Sequence, residues 1–257
     1  MDHVAVITGA TAGIGRAFAD LLAAQGYDLV LIARDEQRLN LVCGEIVQKH
    51  GVECRAMPAD LSRESDRKRV AELVEREAEV LINNAGFGVR EAFNQSTVAD
   101  ERTMLDVMVV AVMELSHAAL RGMSERGSGV ILNVSSVASW TTSGTYAAAK
   151  AWVTNFSEGL NAMYAGTGIH VTALCPGYVR TEFHERMGVS MKAVPNRMWL
   201  SADAVAHRAW SDAQRGKAVS VPGWQYKPLG LLLRHAPRWF VRATTSSKRR
   251  PHRPMGD

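Results

Sequence analysis

Tyr146 and Lys150 stand four positions apart in the alanine-rich stretch SGTYAAAKAW, residues 143–152. Side chains at i and i+4 lie on the same face of a helix, so the phenol and the ammonium group could point into one cleft. A phenol has a pKa of about 10 and needs a nearby cation to exchange protons at neutral pH. The same spacing is common on ordinary exposed helices. The pair therefore indicates catalysis only if the chain also supplies a cofactor site and a group that binds an electrophile.

Strand-like and helix-like segments alternate along the chain. Seven apolar runs rich in β-branched residues predict strands at 3–8, 28–33, 52–57, 79–83, 129–135, 169–175 and 217–221. Helical patterns lie between them, near 14–25, 36–50, 63–78, 97–125, 145–166 and 202–215. Several strands are almost continuously apolar, as expected when helices cover both faces of a sheet. The sequence therefore predicts an α/β fold, a Rossmann-like, doubly wound, mostly parallel seven-stranded sheet flanked by helices, in a single domain over 1–223.

The first predicted strand runs into a glycine-rich turn, TGATAGIG, residues 8–15. Glycine lets the backbone turn tightly and approach a pyrophosphate, which the free N–H groups at a helix N-terminus favour. Any tight strand-to-helix connection can use glycine, and the spacing differs from G-x-G-x-x-G. Its position after the first strand of an alternating chain makes a dinucleotide site the better interpretation.

Arg34 follows the second strand, at the place where an acid would bind a ribose 2′-hydroxyl. A guanidinium there suits a 2′-phosphate through a charge-assisted hydrogen bond, which favours NADP(H) over NAD(H). Asp35 comes next and could hold the ribose instead. We interpret it as the N-cap of the following helix, its commoner use.

Four motifs in order now resemble those of the short-chain dehydrogenase/reductase superfamily, over roughly residues 3–220. They are TGATAGIG, NNAG at 83–86, YAAAK at 146–150 and CPGYVRT at 175–181. The resemblance implies an oxidoreductase that transfers hydride between NADP(H) and a ketone or secondary alcohol. It also implies a homodimer or homotetramer paired through the helices at 97–125 and 145–166.

By this resemblance Tyr146 would be the general acid that protonates the substrate carbonyl. Lys150 would stabilise the phenolate and bind the nicotinamide ribose, and Ser136 would hydrogen-bond the carbonyl oxygen. Ser136 lies ten positions before the tyrosine, closer than the commonest family spacing. Ser135 and Ser143 therefore remain alternatives.

The resemblance further implies a set of cofactor-binding positions. They are Gly9, Thr11, Gly13, Ile14, Gly15, Arg34, Asp60, Leu61, Asn84, Ala85, Gly86, Tyr146, Lys150, Pro176, Gly177, Val179 and Thr181. Asp60 would contact the adenine, although it could instead cap the helix that follows. Asn83 and Asn84 could instead serve only backbone groups at a strand end. No metal site is expected.

Met108 departs from the family pattern. It stands in MLDVMVVAV where the resemblance places a catalytic asparagine that holds a water of the proton relay. A thioether cannot hold that water, whereas methionine on a buried helix usually serves packing. The hypothesis of a reductase is kept because the serine, tyrosine and lysine are all present. The alternative is a dinucleotide-binding regulator or scaffold whose catalysis has decayed.

The segment 182–200 falls where the family places its substrate lid, and it mixes apolar and polar residues. A lid of this composition would suit a hydrophobic carbonyl, such as a ketoacyl chain or a steroid-like ketone. It could equally be an amphipathic helix pair that only packs on the body. His184 is assigned no role.

The net charge of +4 conceals an asymmetry. Residues 216–257 hold nine basic residues and one acid, while the remainder carries 21 basic and 25 acidic residues. We expect 224–257 to be a basic amphipathic tail with a disordered end, which could contact a membrane peripherally or cover the substrate pocket. No nucleic-acid module is indicated. Three cysteines without a C-x-x-C pair and an N-terminus without a signal core predict a cytoplasmic protein with reduced thiols.

Overall fold

A seven-stranded, fully parallel sheet forms the centre of the computed structural model, which describes residues 3–182 and 194–246. Its strands are β1 (Val4–Thr8), β2 (Asp28–Ala33), β3 (Cys54–Pro58), β4 (Ala78–Asn83), β5 (Gly129–Val134), β6 (Ile169–Leu174) and, numbered ninth in the chain, β9 (Val219–Ser220). They lie in the order β3-β2-β1-β4-β5-β6-β9. A separate short pair is formed by β7 (Tyr178–Val179) and β8 (Trp199–Leu200).

Helices cover both faces of this sheet. They are α1 (Gly13–Ala23), α2 (Glu36–His50), α3 (Glu64–Glu77), α4 (Val98–Leu105), α5 (Ala111–Arg126), α6 (Gly144–Met163), α7 (Ala202–Gln214), α8 (Tyr226–His235) and α9 (Arg238–Ser246). One buried cluster joins α1, α2 and α7 to the sheet, and a second joins α3 and α5 to its other face. Successive residues in the middle of the strands alternate between the two clusters, so these central positions are apolar on both faces of the sheet. The predicted fold class is confirmed.

The predicted helix at 97–125 is interrupted in its middle. Asp106–Val110 form a π-helical segment between α4 and α5, and Met108 lies within it, buried. Such segments inside α-helices are frequent at functional sites. The stretch Val98–Arg126 is long and apolar enough to cross a membrane by length and composition, but 56% of that apolar window is buried inside the fold. Its burial against α3 and the sheet is typical of a helix in a protein core.

A line of buried amides and hydroxyls crosses the ends of β4 and β5. The Asn83 side-chain amide donates to Asn133 Oδ1 at 2.9 Å and to Ser116 Oγ at 3.2 Å. Asn133 in turn donates to Ser157 Oγ on α6 at 3.0 Å. Because each of these buried polar groups has a partner, none carries the full cost of desolvation.

Asp212 ties α7 to the last strand at the edge of the sheet. Its buried carboxylate accepts hydrogen bonds from Ser220 Oγ and Lys217 Nζ, both at 2.8 Å, and from Arg208 and Arg215. Burial alone would raise the pKa of this carboxyl, but the donors, Lys217 first, lower it to about 2. The group is therefore ionised at neutral pH.

The C-terminal α8 packs against the body through Tyr226, which is 1% exposed. Its hydroxyl accepts from the Tyr178 N–H at 3.0 Å and donates to the Met198 carbonyl. The tyrosine thus joins α8 to the residues beside β7 and β8. The domain boundary at 224 stays a prediction, and the tail's predicted disordered end lies outside the described residues.

Candidate active site

The glycine-rich turn between β1 and α1 has the shape of a cradle. Gly9 and Gly13 adopt positive φ angles of 66° and 57°, which other residues rarely tolerate. A Cβ at Gly15 would lie 2.4 Å from the Gly9 carbonyl oxygen, so only glycine fits there. The N-cap residue of α1, Ala12, has no side chain that could accept from the first N–H groups of the helix. N–H groups at a helix N-terminus suit a pyrophosphate.

Thr8 and Asn84 hold this turn against the NNAG segment. Thr8 Oγ1 accepts from the N–H groups of Asn84 and Ala85 at 2.9 and 3.0 Å. The Asn84 side chain donates to the carbonyls of Thr8 and Gly9, each at 3.0 Å. The Asn84 amide therefore supports the turn, and Ala85 and Gly86 are placed beside it.

The P-G-x-x-x-T loop closes over the same turn. A Cβ at Gly13 would lie only 2.8 Å from the Thr181 methyl carbon, so this threonine stands directly against the turn. Glu182 follows, and its carboxylate accepts two hydrogen bonds from Arg38 at 2.5 and 3.2 Å. Thr181 therefore lies against the glycine-rich turn, and its contact with a cofactor stays a prediction.

Arg34 lies exposed at the tip of β2, beside a depression of about 240 Å³. Asp60, Arg63 and Asp66 line the same depression. Asp35 accepts the Arg38 N–H at 3.0 Å and begins α2, so the predicted N-cap is confirmed. Asp60 accepts from the N–H and hydroxyl of Ser62, which keep its pKa below the ordinary value despite burial.

Several predicted cofactor positions offer the main chain rather than a side chain. The side chains of Ile14, Leu61 and Val179 pack into the two apolar clusters. Pro176 is buried and accepts the Val137 N–H at 3.1 Å. Thr11 is only partly buried and lies within the turn itself. Contacts from the three apolar positions to a dinucleotide would thus be made by backbone atoms.

Lys150 projects from α6 beneath the NNAG loop and is 5% exposed. Its ammonium group donates to the Val134 carbonyl at 2.6 Å and lies 5.9 Å from the centre of the Tyr146 ring. A Cβ at Gly86 would be 3.8 Å from the same nitrogen. Burial lowers the pKa of Lys150 to about 8.

Tyr146 and Ser136 lie side by side and share a side-chain hydrogen bond. Burial raises the pKa of Tyr146 to about 12, against the opposite effect of a side-chain hydrogen bond with Ser136. Ser136 Oγ also accepts the Ala138 N–H at 3.1 Å, which fixes its orientation. The two hydroxyls are therefore placed to reach one oxygen atom of a ligand.

The two alternative serines face elsewhere. Ser135 is buried, donates to the Lys150 carbonyl at 2.8 Å and shares a hydrogen bond with Thr154. Ser143 is exposed ahead of α6 and hydrogen-bonds Thr141. Of the three serines, Ser136 is the one whose side chain meets Tyr146.

Met108 fills the space behind Tyr146 and Lys150. It packs in a small cluster with Met104, Ala149 and Tyr146, and its sulfur would lie 3.8 Å from a Cβ at Gly86. The family pattern places an asparagine at this position, and here a buried apolar side chain packs against Tyr146 instead. Met108 lies within the π-helical segment Asp106–Val110.

Covering the substrate pocket was one of the two interpretations of the tail, but the sequence did not indicate which residues of α8 lie beside the site. The Tyr226 ring covers Gly177, where a Cβ would lie 2.0 Å from a ring carbon. A Cβ at Gly230 on the same helix would be 2.9 Å from the Trp140 ring, which follows Ser136 by four residues. No local periodicity signals these contacts. The lid residues 183–193, His184 among them, lie outside the described residues.

A Rossmann-like sheet with a glycine cradle and a Ser–Tyr–Lys cluster defines a class of dinucleotide-dependent oxidoreductases. The family profile described as short chain dehydrogenase matches residues 3–191. The chain belongs to this family, and it is accordingly an oxidoreductase whose fold binds a nicotinamide dinucleotide.

Individual relatives agree with this assignment. The chain is 40% identical over 187 residues to a very-long-chain 3-oxoacyl-CoA reductase of Anas platyrhynchos, covering 69% of this chain and 60% of that relative's length. It is 32% identical to the inactive hydroxysteroid dehydrogenase-like protein 1 of Homo sapiens, over 92% and 73% of the two chains. A short-chain dehydrogenase from Sphingobium yanoikuyae in complex with NADPH superposes with a TM-score of 0.83, at 29% identity and 98% coverage of both chains.

Proposed function

We propose that this protein is an NADP(H)-dependent reductase of hydrophobic ketones, with Ser136, Tyr146 and Lys150 as its catalytic residues. The placement of these three side chains beside the glycine cradle is the observation that carries the proposal. The proposal also gives the predicted cofactor-binding residues the roles that the family resemblance implies for them. A bound nicotinamide would supply the hydride.

In the reduction direction Tyr146 donates its proton to the substrate's carbonyl oxygen, and the Ser136 hydroxyl hydrogen-bonds the same atom. The raised pKa of Tyr146, about 12, keeps that proton in place at neutral pH. Lys150, with a pKa of about 8, is mostly protonated at pH 7. Its positive charge stabilises the phenolate that remains after proton transfer.

A hydrophobic substrate is supported by the apolar residues packed around Tyr146. Met108, Ala149 and Phe87 form an apolar cluster against Tyr146. The relative from Anas platyrhynchos is named for a 3-oxoacyl substrate, and the relative from Homo sapiens for its likeness to hydroxysteroid dehydrogenases. A ketoacyl chain is the first class to test, and a steroid-like ketone is the second.

The test is NADPH oxidation with medium- and long-chain 3-oxoacyl thioesters and steroid ketones. Tyr146→Phe should lower turnover by about a thousand-fold, the range of a lost general acid, while NADPH still binds. Tyr164→Phe, the same change near the end of α6, is the matched control and should keep full activity. Unchanged turnover in Tyr146→Phe would refute the proposed acid.

Preference for the phosphorylated cofactor is assigned to Arg34. Arg34→Ala should weaken NADPH binding by about ten- to a hundred-fold, the equivalent of one charge-assisted hydrogen bond. Binding of NADH should hardly change. The exposed Lys68 on α3 provides the control, since Lys68→Ala removes the same charge away from the depression. Equal losses for both cofactors would assign Arg34 another role.

A decayed regulator is the second candidate, because Met108 replaces the asparagine that the family pattern places there. The human relative named above is called inactive, a statement about that protein alone. Tight NADPH binding without oxidation by any ketone of the panel would favour the regulator. Turnover that depends on Tyr146 would exclude it.

A further inference from the structure

The last two described helices form an exposed apolar surface apart from the candidate active site. We call α8, α9 and the intervening Ala236–Pro237 the C-terminal hairpin. An open groove of about 630 Å³ runs along it, lined by Pro228, Leu232, His235, Ala236, Pro237, Trp239 and Phe240. Leu232 is 55% exposed and Trp239 65% exposed. Ser136, Tyr146 and Lys150 do not line this groove.

The opposite side of the hairpin is anchored to the protein. Tyr226 on α8 and Val241 on α9 are buried, at 1% and 0% exposure. Arg234 pairs with Glu158 on α6, and Gly230 lies against Trp140. The hairpin is therefore a fixed platform, with one face toward the body and an apolar face outward.

Cations border the apolar face. Lys227, Arg238 and Arg242 are all exposed, and Arg238 and Arg242 share one side of α9 at an i,i+4 spacing. No Asp or Glu occurs between 226 and 246. The sequence continues with Lys248, Arg249, Arg250 and Arg253, and its first acid is Asp257. The excess positive charge of the sequence is thus concentrated in the same segment as the exposed Trp239 and Phe240.

We propose that the C-terminal hairpin docks on an anionic lipid surface, with Leu232, Trp239 and Phe240 entering the headgroup region and the flanking cations contacting lipid phosphates. Aromatic rings beside Arg and Lys stems are suited to the interface between water and acyl chains. A surface with cations and no acids complements a continuous negative surface, whereas a typical protein partner presents mixed charge. The proposal concerns binding and does not depend on the proposed reaction.

Co-sedimentation of the full chain with lipid vesicles tests this. The full chain should pellet with phosphatidylcholine vesicles containing about one third phosphatidylglycerol, and should be released by high salt. It should not pellet with pure phosphatidylcholine. Arg238→Glu with Arg242→Glu should lower the binding constant by at least about thirty-fold, since each basic side chain near such a surface contributes about five-fold. Trp239→Ala with Phe240→Ala should lower it by about ten-fold.

Each double variant has a matched control elsewhere on the surface. Lys68→Glu with Arg102→Glu makes the same change of net charge at two exposed residues of α3 and α4. Leu41→Ala with Met163→Ala truncates two side chains that are 69% and 73% exposed. Both controls should bind vesicles like the parent chain. Melting temperature and NADPH binding, measured for every variant, identify any that has lost its fold.

Three results would overturn the proposal. The first is equal binding to neutral and anionic vesicles, and the second is parent-like binding by the Arg238/Arg242 variant. The third is self-association that disappears with Trp239→Ala and Phe240→Ala while vesicles are never bound. That last result would assign the face to a contact between copies of this chain.

Discussion

Lys150 is a cation held in a pocket that excludes most water. It is 5% exposed, and its ammonium group donates to a single backbone carbonyl among the contacts described, that of Val134. Desolvation of a charge is costly, and the lowered pKa of about 8 expresses this cost. The protein accepts a loss of stability here because the charge beside Tyr146 is needed for the proposed chemistry.

This cost predicts a pH dependence of stability. The pKa of Lys150 is about 8 in the folded chain and near its ordinary 10.5 in the unfolded chain. Between these values the unfolded state binds more protons, so folding becomes more favourable as pH rises. The parent chain should gain up to about 3 kcal/mol relative to Lys150→Met between pH 8 and pH 10.5.

Melting temperatures of the cofactor-free proteins, measured in steps from pH 7 to pH 10.5, check this expectation. Below pH 8 the full cost remains, so Lys150→Met should melt higher than the parent chain. Lys68→Met, which removes an exposed lysine, should show a constant difference over the same range. A constant difference for Lys150→Met as well would show that the lysine is not desolvated.

At the scale of elements, Tyr226 connects parts of the chain that would otherwise be separate. Its hydroxyl bonds the backbone at Tyr178 and Met198, which flank the short strands β7 and β8. These strands mark the two ends of the predicted lid. We therefore expect Tyr226 to act as a positioning residue for the two ends of the predicted lid.

Tyr226→Phe should leave two backbone polar groups without a partner, at a cost of about 1–3 kcal/mol and a fall of several degrees in melting temperature. Phenylalanine keeps the ring that packs on Gly177 of the predicted cofactor loop and loses only the hydroxyl contacts beside the predicted lid. The KM for the ketone should therefore rise more than the Kd for NADPH. Both constants are measured with Tyr164→Phe as the control. An equal change in the two constants would mean a general loss of structure instead.

The elements of the sheet were predictable because their signals are local. Continuous apolar runs indicated the strands, and Asp35 as an N-cap followed from its position before a helical pattern. The contact of Tyr226 with Tyr178 joins residues 48 positions apart and has no local pattern. The π-helical segment at Asp106–Val110 was also hidden, since apolar residues continue through it.

Within the candidate site, the glycine turn and the Tyr–Lys spacing were readable from the sequence. Ser135 and Ser143 remained alternatives to Ser136 because Ser136 lies only ten positions before Tyr146, closer than the commonest family spacing. Successive residues at the end of a strand point to opposite sides. In the structure Ser135 faces the backbone of α6, while Ser136 faces Tyr146.

At the scale of the whole molecule, one carboxylate, that of Asp212, holds the edge strand β9 against the fold. β9 has only two residues, and Asp212 joins it to α7 through Ser220 and Lys217. Asp212→Asn removes the charge that these donors stabilise. It should destabilise the protein by about 2 kcal/mol at neutral pH.

The sign of this effect with pH follows from the folded pKa of about 2, below the ordinary 3.8. The free energy of unfolding of the parent chain should exceed that of Asp212→Asn by its full amount above pH 4. This difference is lost as pH falls toward 2. Unfolding by urea at pH 7, 4 and 3 measures it. Asp203→Asn, in the first turn of the same helix, should change stability by a few tenths of a kcal/mol only.

The amides of Asn83 and Asn133 have a consequence for how the strands find each other. β4 and β5 are apolar on both faces, so sliding one strand along the other by a residue changes little in hydrophobic contact. In the native alignment Asn83 stands opposite Asn133. A slip of one residue would set Asn83 opposite Leu132 or Val134 and break the hydrogen bond between the two buried amides. The pair thus selects one register between two strands whose apolar residues would accept several.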